Sequence, residues 1–358
     1  MCAAMAVPLA DQLCAIVNKP ETGIESVSGE MIALARRHRL HLMLADRGAV
    51  AELAQERRDA AAVEAMREAE LRRVLAALAV AGIRVILFKG VAISRTHYRS
   101  PELRVRSDTD MLVPADRGQA VAHVLETLGY RREVETDGAL IVSQFHYEFF
   151  DRANLSHALD VHWRISNVIA FADVLSYEEI VRDAVSLPGL GSDAVGPCAV
   201  HSLMLACVHR VAHHPDSADL LWLYDVHLLA DRLTHSEQTR FAELAVHRRV
   251  RAICAYSLQD SAQAYGGCAG DLAARIAPPA GTAEPTLAFL AERLRPVDVL
   301  SADLRALGRW PERLQLLREH VFPRRDYMFA RYGTRRASSL PWLYLRRIVA
   351  GAPKWFRS

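Results

Sequence analysis

The stretch Arg106-Ser107-Asp108-Thr109-Asp110-Met111-Leu112-Val113 constrains the fold of this chain more than any other. Two carboxylates stand two positions apart, and an apolar, β-prone run follows at once. In a strand, residues i and i+2 share a face. Asp108 and Asp110 are therefore predicted side by side, with Thr109, Met111 and Val113 turned into a core on the other face. Adjacent carboxylates resist joint ionisation unless a cation sits between them. Magnesium suits that position, because it prefers oxygen donors and is commonly held by one or two carboxylates plus substrate phosphates. A bare Asp-x-Asp is more often a turn or a helix cap, so its neighbours decide its meaning.

Upstream, Ile83-Arg84-Val85-Ile86-Leu87-Phe88 is a short, nearly continuous apolar run, as in a buried strand. It ends in Lys89-Gly90, and Val91-Ala92-Ile93 opens a helix. Strand, glycine and helix start form a place where backbone amides meet a phosphate. In that reading Gly90 permits close approach and Lys89 adds a mobile positive charge; a plain turn glycine is the competing reading. Downstream, 139–150 and 155–165 read as strands joined by the turn Asp151-Arg152-Ala153-Asn154. Asp160 and His162 share one face of the second strand, with Leu159, Val161 and Trp163 on the other.

Three carboxylates on neighbouring strands, beside a phosphate-friendly turn, are the parts of a two-metal site for phosphoryl or nucleotidyl transfer. Asp108 and Asp110 would bridge the metals, and Asp160 would complete the shell of one. Arg104 and Arg106 are candidate phosphate clamps, or else solvated arginines. Ser107 either donates to a phosphate or caps the entry to the strand. His162 reads as a structural histidine close to the acids.

The rest of the chain is helical. Residues 1–80 form an N-terminal helical lead, including a long helix from about 49 to 81 with Leu71, Val74, Leu75 and Leu78 on its apolar stripe and Gly82 as its cap. The core is placed at 81–188. Gly189, Gly191, Gly196 and Pro197 mark the boundary to a helical C-terminal domain, 189–358, with helices over 198–214, 218–233, 236–265 and 283–294. His209 and His213 stand at i, i+4, with Asp225 further on. That spacing can bind zinc, but no third ligand is fixed by it, and a hydrogen-bonded pair or a wall of the substrate cleft is the preferred reading. The tail alternates Trp342, Tyr344, Leu345, Ile348, Val349, Trp355 and Phe356 with Arg335, Arg336, Arg346, Arg347, Lys354 and Arg357. It suits an anionic membrane surface, a polyanionic partner or simple docking on the bundle.

A net charge of +2 over 358 residues provides no global field for nucleic acid. Six cysteines without a C-x-x-C pair are neither a zinc set nor a disulfide framework, and read as reduced thiols. The first residues lack the basic start and apolar core of a signal peptide, and no apolar window is long enough to span a bilayer. The expected location is the cytoplasm.

The segments Ile86-Leu87-Phe88-Lys89-Gly90-Val91-Ala92, Arg104-Val105-Arg106 through Val113, and Leu159-Asp160-Val161-His162-Trp163-Arg164 resemble the core motifs of the uncharacterised bacterial nucleotidyltransferase family within the polymerase-β-like superfamily. Leu205 to Leu229, with His209, His213, Trp222 and Asp225, and the segment from Phe322-Pro323 to Arg331-Tyr332-Gly333 are similar to its helical half. The resemblance implies an α+β fold: a small mixed sheet with helices packed on it and a helical C-terminal domain. It also implies use of a nucleoside triphosphate such as ATP with two magnesium ions, and an unidentified small-molecule or peptide acceptor. By motif, Asp108 and Asp110 match the paired metal ligands, Asp160 the third acid, and Gly90 with Lys89 the phosphate-holding turn. The superfamily's usual mark there is Gly-Ser or Gly-Gly, whereas this chain has Gly90-Val91. Two other classes stay open: a non-catalytic nucleotide- or peptide-binding module on the same fold, and a transferase moving a phosphorylated sugar to a small molecule or peptide.

Overall fold

A computed structural model describes residues 8–18, 27–46, 51–133, 138, 140–213, 219–291, 294–334 and 336–355. The chain enters through α1 (Leu9–Asn18), α2 (Gly29–Arg37) and α3 (His41–Asp46). The Ser28 hydroxyl starts α2 by accepting from the Met31 N–H at 3.2 Å. The long helix α4 (Ala51–Val80) runs out at Gly82, whose φ of 66° suits a residue without a side chain.

After α4 come β1 (Ile86–Phe88), α5 (Gly90–Thr96), β2 (Thr109–Leu112), α6 (Gly118–Thr127) and β3 (Arg131–Arg132). The hairpin of β4 (Gln144–Phe150) and β5 (Ser156–His162) follows. Asp151 Oδ1 closes its turn by accepting from Ala153 and Leu155 N–H at 2.8 and 3.0 Å, and Asn154 takes φ 59°, which asparagine tolerates. Next are α7 (Ile169–Ala172), α8 (Tyr177–Arg182), β6 (Val185–Ser186) and β7 (Val195–Gly196). The strands form one mixed sheet in the order β3-β4-β5-β2-β1-β7-β6, with β2 antiparallel to β1 and parallel to β5.

The strand period sorts the two faces. Leu87, Met111, Val113, Leu159 and Val161 pack against Leu71, Val74 and Leu78 of α4 and Val121 and Leu125 of α6. Ile86, Phe88 and Leu112, on the opposite face, join the core of a helical half made of α9 (Ala199–His213), α10 (Leu220–Asp231), α11 (His235–His247), α12 (Arg251–Tyr265) and α13 (Ala269–Ile276). A third cluster packs α1–α3 on this helical half, through Leu13, Met31 and Leu44 against Leu221, Tyr224 and Tyr265. Residues 1–80 are thus divided: α1–α3 and, through Leu53, the start of α4 serve the helical half, and the last turns of α4 serve the sheet. The sheet also reaches past residue 188, because Val195 of β7 pairs with Ile86 inside the glycine-rich loop. A two-residue strand carries no periodicity from which it can be read.

The expected helix over 236–265 is two helices, because the chain reverses at Arg249, which takes φ 56°. Of the expected helix over 283–294, Pro285–Leu290 is a short 3-10 helix, and 292–293 lie outside the described residues. The chain continues through α14 (Pro296–Ala306), α15 (Trp310–Val321), α16 (Arg325–Tyr332) and α17 (Leu340–Trp355). Among the described residues, no helix is long and apolar enough to cross a membrane.

Asp303 of α14 ties this last region to the core by accepting from the Ala170 N–H of α7 at 3.0 Å. Burial pushes its carboxyl up to about 6, against the pull of the α7 amides. A raised carboxyl binds its proton more tightly in the folded state, so stability falls as pH climbs between roughly 4 and 6 and stays lower above. Asp303→Asn is expected to raise thermal stability by about 1–3 kcal/mol at pH 7.5, with the gain vanishing near pH 4. A pH series of melts of both proteins checks this, and a gain that persists at pH 4 counts against it.

Candidate active site

The parallel pairing of β2 and β5 sets Asp110 directly beside Asp160, and β1 sets Phe88 on the other flank of Asp110. Neighbouring strands in register point paired residues to the same face, so both carboxylates project toward the helical half. Asp108 stands two residues earlier, in the bend that enters β2. Burial and the charges of Asp110 and Asp160 together push its carboxyl up. Donor atoms of Asp110, Asp160 and His162 all lie within 4.8 Å of one another. The three acids predicted from the strand pattern therefore line one cleft.

Each acid has its own support. Asp110 Oδ1 accepts from Lys89 Nζ at 2.7 Å and from His162 Nε2 at 3.0 Å. Burial alone would raise the Asp110 carboxyl, but the ammonium and the imidazole outweigh it and hold the group well below the usual carboxylate range. His162 is buried and sits near the Lys89 charge, and both hold its pKa down, so it is neutral and Nε2 carries the proton. Its Nδ1 is buried without a partner. Asp160 accepts from Gln144 Nε2 at 3.1 Å and from His146 Nδ1 at 2.6 Å. Gln144, His146 and the bond from His162 were missed as site features by sequence reasoning. The expected turn at 151–154 would pair Phe150 with Leu155 and set Phe145 opposite Asp160; the structure pairs Phe150 with Ser156 across a connection one residue longer, and that register brings His146 to Asp160.

The turn differs from expectation in one respect. Gly90 does not supply the unusual backbone; Lys89 does, at φ 54° and ψ −131°. A side chain added at Gly90 would meet Arg104 Nη1 at 3.5 Å, an ordinary contact. A non-glycine residue held in so sparse a region costs about 1–3 kcal/mol and persists only where its surroundings over-determine it. Here the Asp110 ion pair does that, because the turn aims the ammonium at the acids. Lys89→Gly is therefore expected to be about 1–2 kcal/mol more stable than Lys89→Ala, since both lose the ion pair but only glycine relieves the strain. Urea titrations of the two variants read this difference, and equal midpoints would contradict it.

The two arginines are not solvated, and their guanidinium groups are already engaged. Arg104 forks onto Asp225 of α10, with Nε at 2.9 and 3.0 Å and Nη2 at 2.7 Å, and its Nη1 bonds the Val105 carbonyl. The Tyr98 hydroxyl donates to the same carboxylate at 2.8 Å. Arg106 Nη2 reaches both oxygens of Glu64 in α4 at 3.0 Å, and its Nη1 bonds Thr109 Oγ1 and the Asp108 carbonyl. Both arginines line the cleft, and both brace the acid strand between α4 and α10. Ser107 is exposed on the cleft wall, with its hydroxyl 3.3 Å from Asp108 Oδ2.

Opposite the acids, the cleft is closed by Leu205, His209 and Trp222 of the helical half and by Arg39, enclosing about 450 Å³. That volume lies in the range of small-molecule sites. His209 meets the Trp222 ring edge-on at 5.7 Å, and the Arg39 guanidinium, ion-paired to Asp219, lies 4.9 Å from the same ring. The His213 side chain and His214 lie outside the described residues, and Asp225 is held by Arg104, so no zinc set is assembled around His209 among the described residues. Asp183, Cys198 and His201 form a second donor cluster, in which Arg240 already pairs with Asp183.

The acids suit a hard divalent cation. Asp108, Asp110 and Asp160 offer oxygen donors, and a cationic group, the Lys89 ammonium, already rests on Asp110. Asp108 has no ion pair among the described residues.

No curated protein matches the chain. A family model described as an uncharacterised nucleotidyltransferase matches residues 28–266. The matched region contains the strand acids, the Lys89-Gly90 turn and both walls of the cleft. On that match over most of its length, the chain belongs to the uncharacterised nucleotidyltransferase family.

Proposed function

We propose that this protein is a magnesium-dependent nucleotidyltransferase that moves the nucleotidyl group of a nucleoside triphosphate to a small-molecule or peptide acceptor. The observation that carries the reading is the register of β2 and β5, which sets Asp110 abreast of Asp160 with Asp108 next to them over a closed-backed cleft. Asp108, Asp110 and Asp160 would hold two magnesium ions. Once bound, magnesium supplies neutralisation of phosphate charge and a more acidic acceptor hydroxyl.

The chain's own groups have separate tasks. His162 and Lys89 keep Asp110 ionised and aimed at the cleft. Gln144 and His146 fix the Asp160 carboxylate, which would take a proton from the acceptor. Lys89, Gly90 and Ser107 line the side on which the phosphates would lie. The reaction is in-line displacement at the α-phosphorus, with pyrophosphate leaving, and positioning provides much of the rate.

Calorimetric titration of each common nucleoside triphosphate, with and without magnesium, tests the reading, together with release of labelled pyrophosphate. Magnesium-dependent binding of at least one is expected, and none for any of them would overturn it. Gly90→Ala sharpens the test. Alanine fits the space and suits a helix start, so the melting temperature should hold or rise. A methyl group between backbone and phosphates should nevertheless cost about 10- to 100-fold in kcat/KM. Unchanged activity would remove the phosphates from that turn.

A further inference from the structure

We infer that α15 and α17 form a docking surface for an anionic lipid bilayer, on which the protein lies without crossing. The inference is independent of the nucleotidyltransferase reading, and its residues lie outside the matched span 28–266.

Charge and exposure point the same way. Residues 327–358 contain Arg331, Arg335, Arg336, Arg346, Arg347, Lys354 and Arg357 and no aspartate or glutamate. With a net charge of only +2 on the whole chain, residues 1–326 are net negative. The net positive charge is thus gathered at one end. Along α17, Trp342, Leu345 and Val349 recur at i, i+3 and i+7, and are 63 %, 51 % and 64 % exposed. The other side of the helix is docked: Leu343 is buried, the Tyr344 hydroxyl donates to the Pro323 carbonyl at 2.7 Å, and Arg347 lies over the Tyr327 ring. The exposed stripe is therefore what remains after the helix has packed.

A second stripe repeats the pattern. Trp310, Leu314 and Leu317 of α15 stand at i, i+4 and i+7, and all are exposed. Phe322, just past the end of α15 and itself exposed, meets the Tyr344 ring of α17 at 5.5 Å, so the C-terminal end of α15 reaches α17. Large apolar side chains in stripes, rather than scattered singly, mark an interaction surface.

The chemistry selects the occupant. A basic amphipathic helix with Trp, Leu and Val on its open side is the composition that settles in the interface of an anionic bilayer. Sixteen residues with this many charges are too short and too polar to span one. Single-stranded nucleic acid is bound by aromatic faces and cations, which leaves Leu345, Ile348, Val349 and Leu314 unexplained. A second copy docked α17 against α17 would set one acid-free basic segment against another.

The test is co-sedimentation of the full chain with sucrose-loaded vesicles of phosphatidylcholine alone or mixed with phosphatidylglycerol. The mixed vesicles are expected to capture at least ~10-fold more protein, with capture falling as salt is raised. Tryptophan emission should shift to the blue on binding. The variant Trp342→Ser/Leu345→Ser/Val349→Ser should keep the wild-type melting temperature, since these side chains are exposed, and lose the capture. Leu314→Ser, on the separate helix, should weaken it. No capture by either vesicle, undiminished capture of the triple variant, or a concentration-dependent dimer that the triple variant dissolves would each overturn the inference.

Discussion

Asp110→Asn is expected to lower magnesium-dependent nucleotidyl transfer by about 10³-fold or more, while leaving the chain folded. Asparagine keeps the shape of the side chain but removes the charge on which Lys89 and His162 converge. Asp110 is the central acid of the site, flanked by Asp160 across the strand pair and by Asp108 along it. Its loss should therefore abolish the metal response as well as turnover. Magnesium with nucleotide should raise the melting temperature of the wild type, because a ligand that binds only the folded state stabilises it. The variant should show no such rise. Turnover within about 10-fold of wild type would place the chemistry elsewhere.

Asp225→Ala is expected to produce the largest loss of stability, about 3–5 kcal/mol, read from urea unfolding. Both members of the Arg104–Asp225 pair are buried, and the fork provides three close contacts. Removing the carboxylate leaves a guanidinium charge buried without compensation, which costs more than the pair contributed. The Tyr98 hydroxyl also loses its acceptor. Arg104→Met/Asp225→Leu, which takes away both charges and refills the volume, should recover most of the loss. A single-variant loss under about 1 kcal/mol would show that water or another group reaches Arg104.

These effects differ in how far the amino-acid sequence announces them. The alternation from Asp108 to Val113 and from Leu159 to Trp163 is local, and it was enough to sort acids from core on both strands. Asp151 and Asn154 mark the hairpin turn, but the connection that seats His146 opposite Asp160 runs over 151–155, one residue longer than the turn they mark. Arg104 and Arg106 were not legible in the same way. A guanidinium beside an acidic strand reads as a phosphate clamp until its partner is known, and the partners lie 121 and 42 residues away. The sequence announces the charge of Lys89 but not its backbone conformation, which no neighbouring residue marks.

What the sequence determined by itself is what depends on local period and turn chemistry: the strand carrying Asp110, the strand carrying Asp160, the glycine end of α4 and the helical character of the second half. Only the tertiary structure decided that β2 lies parallel to β5, that β7 closes the sheet beyond the glycine loop, and that α4 and α10 take hold of Arg106 and Arg104 from opposite sides. The reason is physical. Backbone sterics and side-chain alternation act over a few residues, whereas a buried charge must find its counter-charge wherever the folded chain brings one near.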